Sequence, residues 1–188
     1  VKNLIAAGKL DPTSGFTGVN VYGYNLAGEY PNSLTPTRWL TTTPLNLTGV
    51  TNTRVEFRRW LGVESSTFDH ATVDVSNNGS TWTNLYSNPA SSFSEQAWSL
   101  QGYSISGVAD NQAAVRIRWG MGTTDGSVTY QGWNIDDIQI KGLRAPVLGD
   151  INNDGVHNAT DTGFFINVLL GLDSDPLHVA RTDVNIDG

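Results

Sequence analysis

Alternation of apolar and polar residues is the clearest signal in the first two-thirds of the chain. Over residues 115–119 it is strict: Val115, Ile117 and Trp119 fall on one face, Arg116 and Arg118 on the other. Residues 71–75 alternate in the same way, and residues 54–60 do so until their second half. Period two with β-branched and aromatic residues predicts half-buried strands. Turn-forming clusters separate these runs at 77–79, 87–89, 109–111 and 124–126. With no helical period in this region, the expected fold is mainly β, an antiparallel sandwich of two sheets. Beyond the Gly/Pro joint at 142–146 the pattern changes. Phe165, Val168 and Leu169 recur at helical spacing, with Thr160 or Asp161 as the expected cap and Gly171 as the expected stop. The division expected is therefore 1–145 for the β domain and 146–188 for a small helical module.

Composition narrows the function classes. Of 188 residues, 38% are hydrophobic and 15% charged, too apolar for a disordered chain. No run approaches the ~18 apolar residues of a membrane span. A net charge of -7 argues against a general nucleic-acid binder. Cysteine is absent, which removes disulfides and thiolate metal sites. The acidity is concentrated: residues 144–188 hold two Lys/Arg against seven Asp, whereas residues 1–143 hold nine against eleven Asp/Glu. The sequence opens on Val1 with no charged-then-apolar leader, as a processed or partial chain would.

The acids of the tail are ordered. With Asp150 as position 1, side-chain oxygens fall at positions 1, 3, 5, 9 and 12: Asp150, Asn152, Asp154, Asn158 and Asp161. Gly155 stands at position 6, where the loop turns sharply, and Val156 at position 7 offers its carbonyl. A calcium ion takes six to eight oxygens, and this is the ligand pattern of an EF-hand loop, with Asp in place of the usual Glu at position 12. The alternative reading is an Asp/Asn-rich surface turn. The pattern restarts 33 residues later at Asp183, Asn185 and Asp187, before Gly188. The partial repeat predicts that the natural protein continues past Gly188.

Duplicated calcium loops separated by one helix resemble a dockerin, the module that docks cargo onto cohesin domains. His157 departs from the family, which has an aliphatic residue at loop position 8. The resemblance implies calcium as cofactor, cohesin as partner, and contacts through Ala159, Thr160, Ile166 and Asn167. Residues 11–141 resemble MAM-like jelly-roll domains of secreted bacterial proteins, through the Asp11 to Gly18 and Asn20 to Tyr30 segments, Phe68 to Ser76, Asn78 to Trp82 and Gly132 to Ile140. That resemblance implies a non-catalytic, extracellular jelly roll that binds carbohydrate or protein or supports its neighbours. It also implies a structural calcium between the last strand and an early segment, held by Asp136 or Asp137 with Asp11 or Glu29. The alternative is one exposed Asp and one bonded to backbone.

Enzyme signatures are missing: His70, His157 and His178 form no His-Glu-x-x-His pair, and no Gly-x-Ser-x-Gly elbow occurs. Glu64 with Asp69, or Asp136 with Asp137, is a conceivable glycosidase pair whose separation a sequence cannot supply. Arg58, Arg59, Arg116 and Arg118 are either a strip for acidic glycans or solvated strand faces. The main expectation is a non-catalytic calcium-binding accessory region of a secreted protein, its sandwich binding a ligand and its tail docking onto cohesin. The alternatives are an accessory fragment of a secreted hydrolase with its catalytic domain upstream, and a free-standing carbohydrate-binding module. For the last, Trp82 and Trp98, nearest to turns, are the candidate sugar-stacking residues, against a polysaccharide or cell-surface ligand.

Overall fold

The computed structural model describes residues 10–26, 28–144 and 149–182. The chain divides into two compact units, Val1–Leu143 and Arg144–Gly188. The first unit is an antiparallel β-sandwich of the jelly-roll type. One sheet orders β1 (Tyr22–Gly23), β9 (Gly132–Arg144), β3 (Val50–Val63) and β6 (Phe93–Ser94), with β7 (Ser99–Ser104) also paired to β3. The other orders β2 (Arg38–Thr41), β8 (Arg116–Met121), β4 (Ala71–Ser76) and β5 (Thr83–Ser87). A four-residue helix, α1 (Ser106–Ala109), interrupts the otherwise all-β order between β7 and β8.

The alternating runs form the core. Val55, Phe57, Leu61 and Val63 of β3 face Val73 and Val75 of β4 and Ile117, Trp119 and Met121 of β8, all essentially excluded from solvent. Phe57 meets Trp119 edge-on at 5.3 Å between ring centroids, which joins the two sheets. The pairing Asp74↔Arg118 carries the outward residues of both strands to one surface. Between Val73 and Asp74 the register with β5 shifts by a bulge, and Asn84 Nδ2 fills it by donating to Asp74 Oδ1 and to the Tyr86 carbonyl, both at 2.9 Å.

The second unit holds α2 (Ala159–Leu169) and α3 (Pro176–Thr182). Asn158 caps α2, rather than Thr160 or Asp161: its side chain accepts from Thr160 N–H at 2.8 Å, and Asp161 reaches back to Asn158 N–H at 2.8 Å. This reciprocal box satisfies orphan donors at the helix start. Gly171, at φ 69°, ends the helix as expected. Phe164 packs against His178 of α3, while Phe165 and Leu169, expected on one apolar face, are exposed. No helix among the described residues is long and apolar enough to cross a membrane.

Candidate functional site

The outer face of the four-stranded sheet carries a cluster of aromatic and charged groups. Register places Trp39 opposite Gly120 and Thr41 opposite Arg118. The Arg118 guanidinium carbon lies 3.6 Å from the Trp39 ring centroid and 3.9 Å from that of Trp82, so the cation is held between two indoles. Arg118 Nε donates to Asp74 Oδ2 at 2.9 Å. A Cβ on Gly120 would stand 2.4 Å from Trp39 Cζ3 and 2.8 Å from Cη2, so Trp39 crosses β8 only because residue 120 has no side chain. Trp39 remains 40% exposed. The result is a ladder, Trp39, Arg118, Trp82, with Asp74, Asn84 and Thr72 beside it.

Of the two tryptophans singled out in the sequence, Trp82 belongs to this ladder. Trp98 instead packs edge-on against Trp60 at 6.0 Å. Trp39 was missed, because its exposure depends on a partner 81 positions away, Gly120. The four arginines do not form one strip. Arg116 and Arg118 lie on β8, whereas Arg58 and Arg59 lie on β3 of the other sheet. Arg58 stacks on Phe16 at 3.8 Å, and Arg59 pairs with Glu95 at 2.7 Å.

At the sandwich edge between β1 and β2 the core is not closed. Tyr22 is registered to Ile135, Arg38 to Met121 and Leu40 to Trp119, so all three project from the inner faces of edge strands. A cavity of about 270 Å³ lies there, lined by Tyr22, Tyr24, Arg38, Leu40, Trp119 and Trp133 among others. Trp133 Nε1 donates to the Gly120 carbonyl at 2.8 Å.

The acids expected between an early segment and the last strand go to different places. Asp136 Oδ2 accepts from the N–H groups of Phe16 at 2.6 Å and Thr17 at 3.2 Å. Asp137 Oδ1 accepts from Thr17 Oγ1 at 2.6 Å. Asp137 has φ 47°, which breaks strand alternation at that point. Asp11 is buried, and its Oδ1 accepts from Asn134 Nδ2 at 3.0 Å. Glu29 is apart from these and accepts from Thr129 Oγ1.

Another acidic group assembles at residues the sequence linked only in part. Oxygens of Glu64, Asp69 and Asp125 lie within 4.8 Å of one another. Tyr30 O–H donates to Asp69 Oδ2 at 2.6 Å and Asp125 N–H to Asp69 Oδ1 at 3.0 Å. Burial, with Asp69 behind it, pushes the Tyr30 hydroxyl far above its ordinary pKa.

In the tail, Asp150 and Asp161 are 3% and 2% exposed. Asp150 accepts from the N–H groups of Asp154 at 3.0 Å and Gly155 at 2.8 Å. Asp161 accepts from Ile151 at 2.8 Å, Asn152 at 3.3 Å and Asn158 at 2.8 Å, and the Asn158 donor leads in holding its carboxyl below the usual carboxylate range. Gly155 has φ 89° at the turn. Asn152 Oδ1 accepts from Asp154 N–H and Asp154 Oδ1 from Val156 N–H. Asn158 Nδ2 donates to the Val156 carbonyl. The His157 ring lies over Gly149, where a Cβ would meet it at 2.9 Å. Ala159, Thr160, Ile166 and Asn167 are all exposed. Asp183, Asn185 and Asp187 lie outside the described residues.

No family model matches the sequence, and no curated protein matches it. Among solved structures, the chain is similar to one titled "CBM4 structure and function", at 14% identity and a TM-score of 0.36, over 61% of this chain and 81% of that one.

Proposed function

We propose that the β-sandwich is a non-catalytic carbohydrate-binding module whose sugar contacts run along the Trp39–Arg118–Trp82 ladder. The observation that carries this is a pair of indoles fixed on an open sheet face by one buttressed guanidinium. A pyranose ring has apolar C–H faces and polar hydroxyl edges. Flat indoles suit the faces, while Arg118, Asp74, Asn84 and Thr72 supply donors and acceptors for the edges. Affinity gel electrophoresis against a panel of soluble polysaccharides tests it. At least one polysaccharide is expected to retard the protein, with retardation lost in W39A or W82A and kept in W98A. No retardation by any member of the panel, or full retardation of W39A and W82A, would overturn it.

A second reading concerns calcium. The side chains at loop positions 1, 3, 5, 9 and 12 are all hard oxygen donors, and two of the carboxylates are buried inside the loop. Asp150, Asn152, Asp154, the Val156 carbonyl and Asp161 would hold the ion, which would tie the loop to the first turn of α2. Asn134 Oδ1, buried without a hydrogen-bond partner beside Asp11, supports a second ion near Asp136. Cohesin docking through Ala159, Thr160, Ile166 and Asn167 follows from the loop reading and is tested on immobilised cohesins. Retention that chelator abolishes supports it, and no retention from any cohesin would sink it.

A further inference from the structure

The cleft between β1 and β2 has a chemistry that the ladder lacks. Arg38 projects from the inner face of an edge strand, two residues from Leu40 on the same face. That is a position where a sandwich strand ordinarily carries an apolar residue. Arg38 has no carboxylate partner among the described residues. Trp119, on the cleft lining, is 2% exposed. The other walls are aromatic as well: Tyr22, Tyr24, Trp39 and Trp133. The volume, about 270 Å³, falls just under the ~300–1,000 Å³ of drug-sized sites, enough for a single ring.

We propose that this cleft takes one carboxylated pyranose, a uronic acid unit at a chain end or branch of an acidic polysaccharide. Arg38 grips the carboxylate in the fork geometry that guanidinium groups form. The C–H faces of the sugar ring lie against the tyrosines and Trp133. The protein's net charge of -7 repels polyanions in general, so such a ligand is held by local chemistry and not by the overall field. The ligand class rests on the carbohydrate-binding reading, and of the ladder residues only Trp39 also lines the cleft.

The experiment uses the full chain, with trigalacturonate, triglucuronate and their carboxyl-reduced neutral counterparts as probes. Affinity is read by calorimetry, and the indole N–H resonances by NMR. At least one acidic trimer should bind at least tenfold more tightly than its neutral counterpart and shift the Trp119 indole N–H. R38Q should lose that tenfold preference. W98A, outside both the ladder and the cleft lining, should leave acidic-trimer affinity unchanged. Melting temperature confirms that R38Q is folded, since Arg38 is an exposed residue. Equal affinity for acidic and neutral trimers, loss in R118Q but not R38Q, or no acidic binding would each overturn the proposal. If polysaccharide retention sensitive to W82A persists, only the cleft assignment has failed, since Trp82 does not line the cleft. If neither site binds a saccharide, the module reading fails with it.

Discussion

Arg118→Ala is the sharpest perturbation of the ladder. The side chain is 21% exposed and stacks on two indoles, while its partner Asp74 is 9% exposed. Each partly exposed cation–π contact contributes about 0.5–1 kcal/mol. Removing Arg118 also leaves the Asp74 carboxylate with Asn84 as its remaining side-chain partner, at a cost of about 1–3 kcal/mol. The sum is about 3 kcal/mol. For a unit of this size that corresponds to a drop of about 6–12 °C in Tm. Urea unfolding followed by tryptophan fluorescence and far-UV circular dichroism measures it. D74N and the R118A/D74N double variant complete a cycle, in which the double variant should be less destabilised than the sum of the singles by about 1 kcal/mol. If R118A lies within about 0.5 kcal/mol of the parent, or the two singles add, the guanidinium is not the keystone of the ladder.

Three further outcomes follow from other parts of the molecule. Calcium at 100 times its Kd should stabilise the 150–161 unit by about 2.7 kcal/mol, a gain that chelator removes and D150A abolishes; native mass spectrometry counts the ions. Asp110 is lowered to about 2, first by the Ser106 hydroxyl and then by the Thr53 side chain and backbone. Its stabilisation is therefore present above the unfolded carboxylate pKa and disappears as pH falls through about 2. D110N should flatten the acid limb of a stability-against-pH curve between pH 4 and pH 2, and an unchanged limb would refute the role. Gly120→Ala should displace Trp39, since the new methyl would stand 2.4 Å from its ring. Reduced polysaccharide retention with an intact core is expected, checked by gel mobility beside near-UV circular dichroism.

The strands were legible because their information is local. Residues 71–75 and 115–119 each state a face by themselves, and β4 and β8 pair along them. The helix stop at Gly171 is equally local. Its start was misplaced by two or three residues, because Thr160 and Asp161 are also good capping residues and only backbone geometry makes Asn158 the cap. The ladder was half legible. Trp82 is marked by its turn, but Trp39 is defined by a glycine on another strand and by a cation two residues from that glycine. Asp125 joins Glu64 and Asp69 through the loop after β8, 56 residues beyond Asp69, and no spacing announces it. The open cleft was not legible at all. An arginine at the start of β2 reads as polar until register shows that it shares a face with Met121.

The order in which the strands pair also bears on how the chain is made. β1 hydrogen-bonds to Asn134 and Ile135, and β2 to residues 118–121, so both early strands wait for late partners. At ~5–20 residues per second of synthesis, β1 stands unpaired for roughly 6–20 s before its neighbour leaves the ribosome. Its short length limits the edge it offers during that interval, and prolines at 36 and 44 bracket β2 against stray pairing. The β3–β7 and β4–β5 pairs close over much shorter separations and are the expected first structure. Nascent chains arrested before residue 118 should then protect β3, β4, β5 and β7 from proteolysis while residues 10–41 remain cleavable.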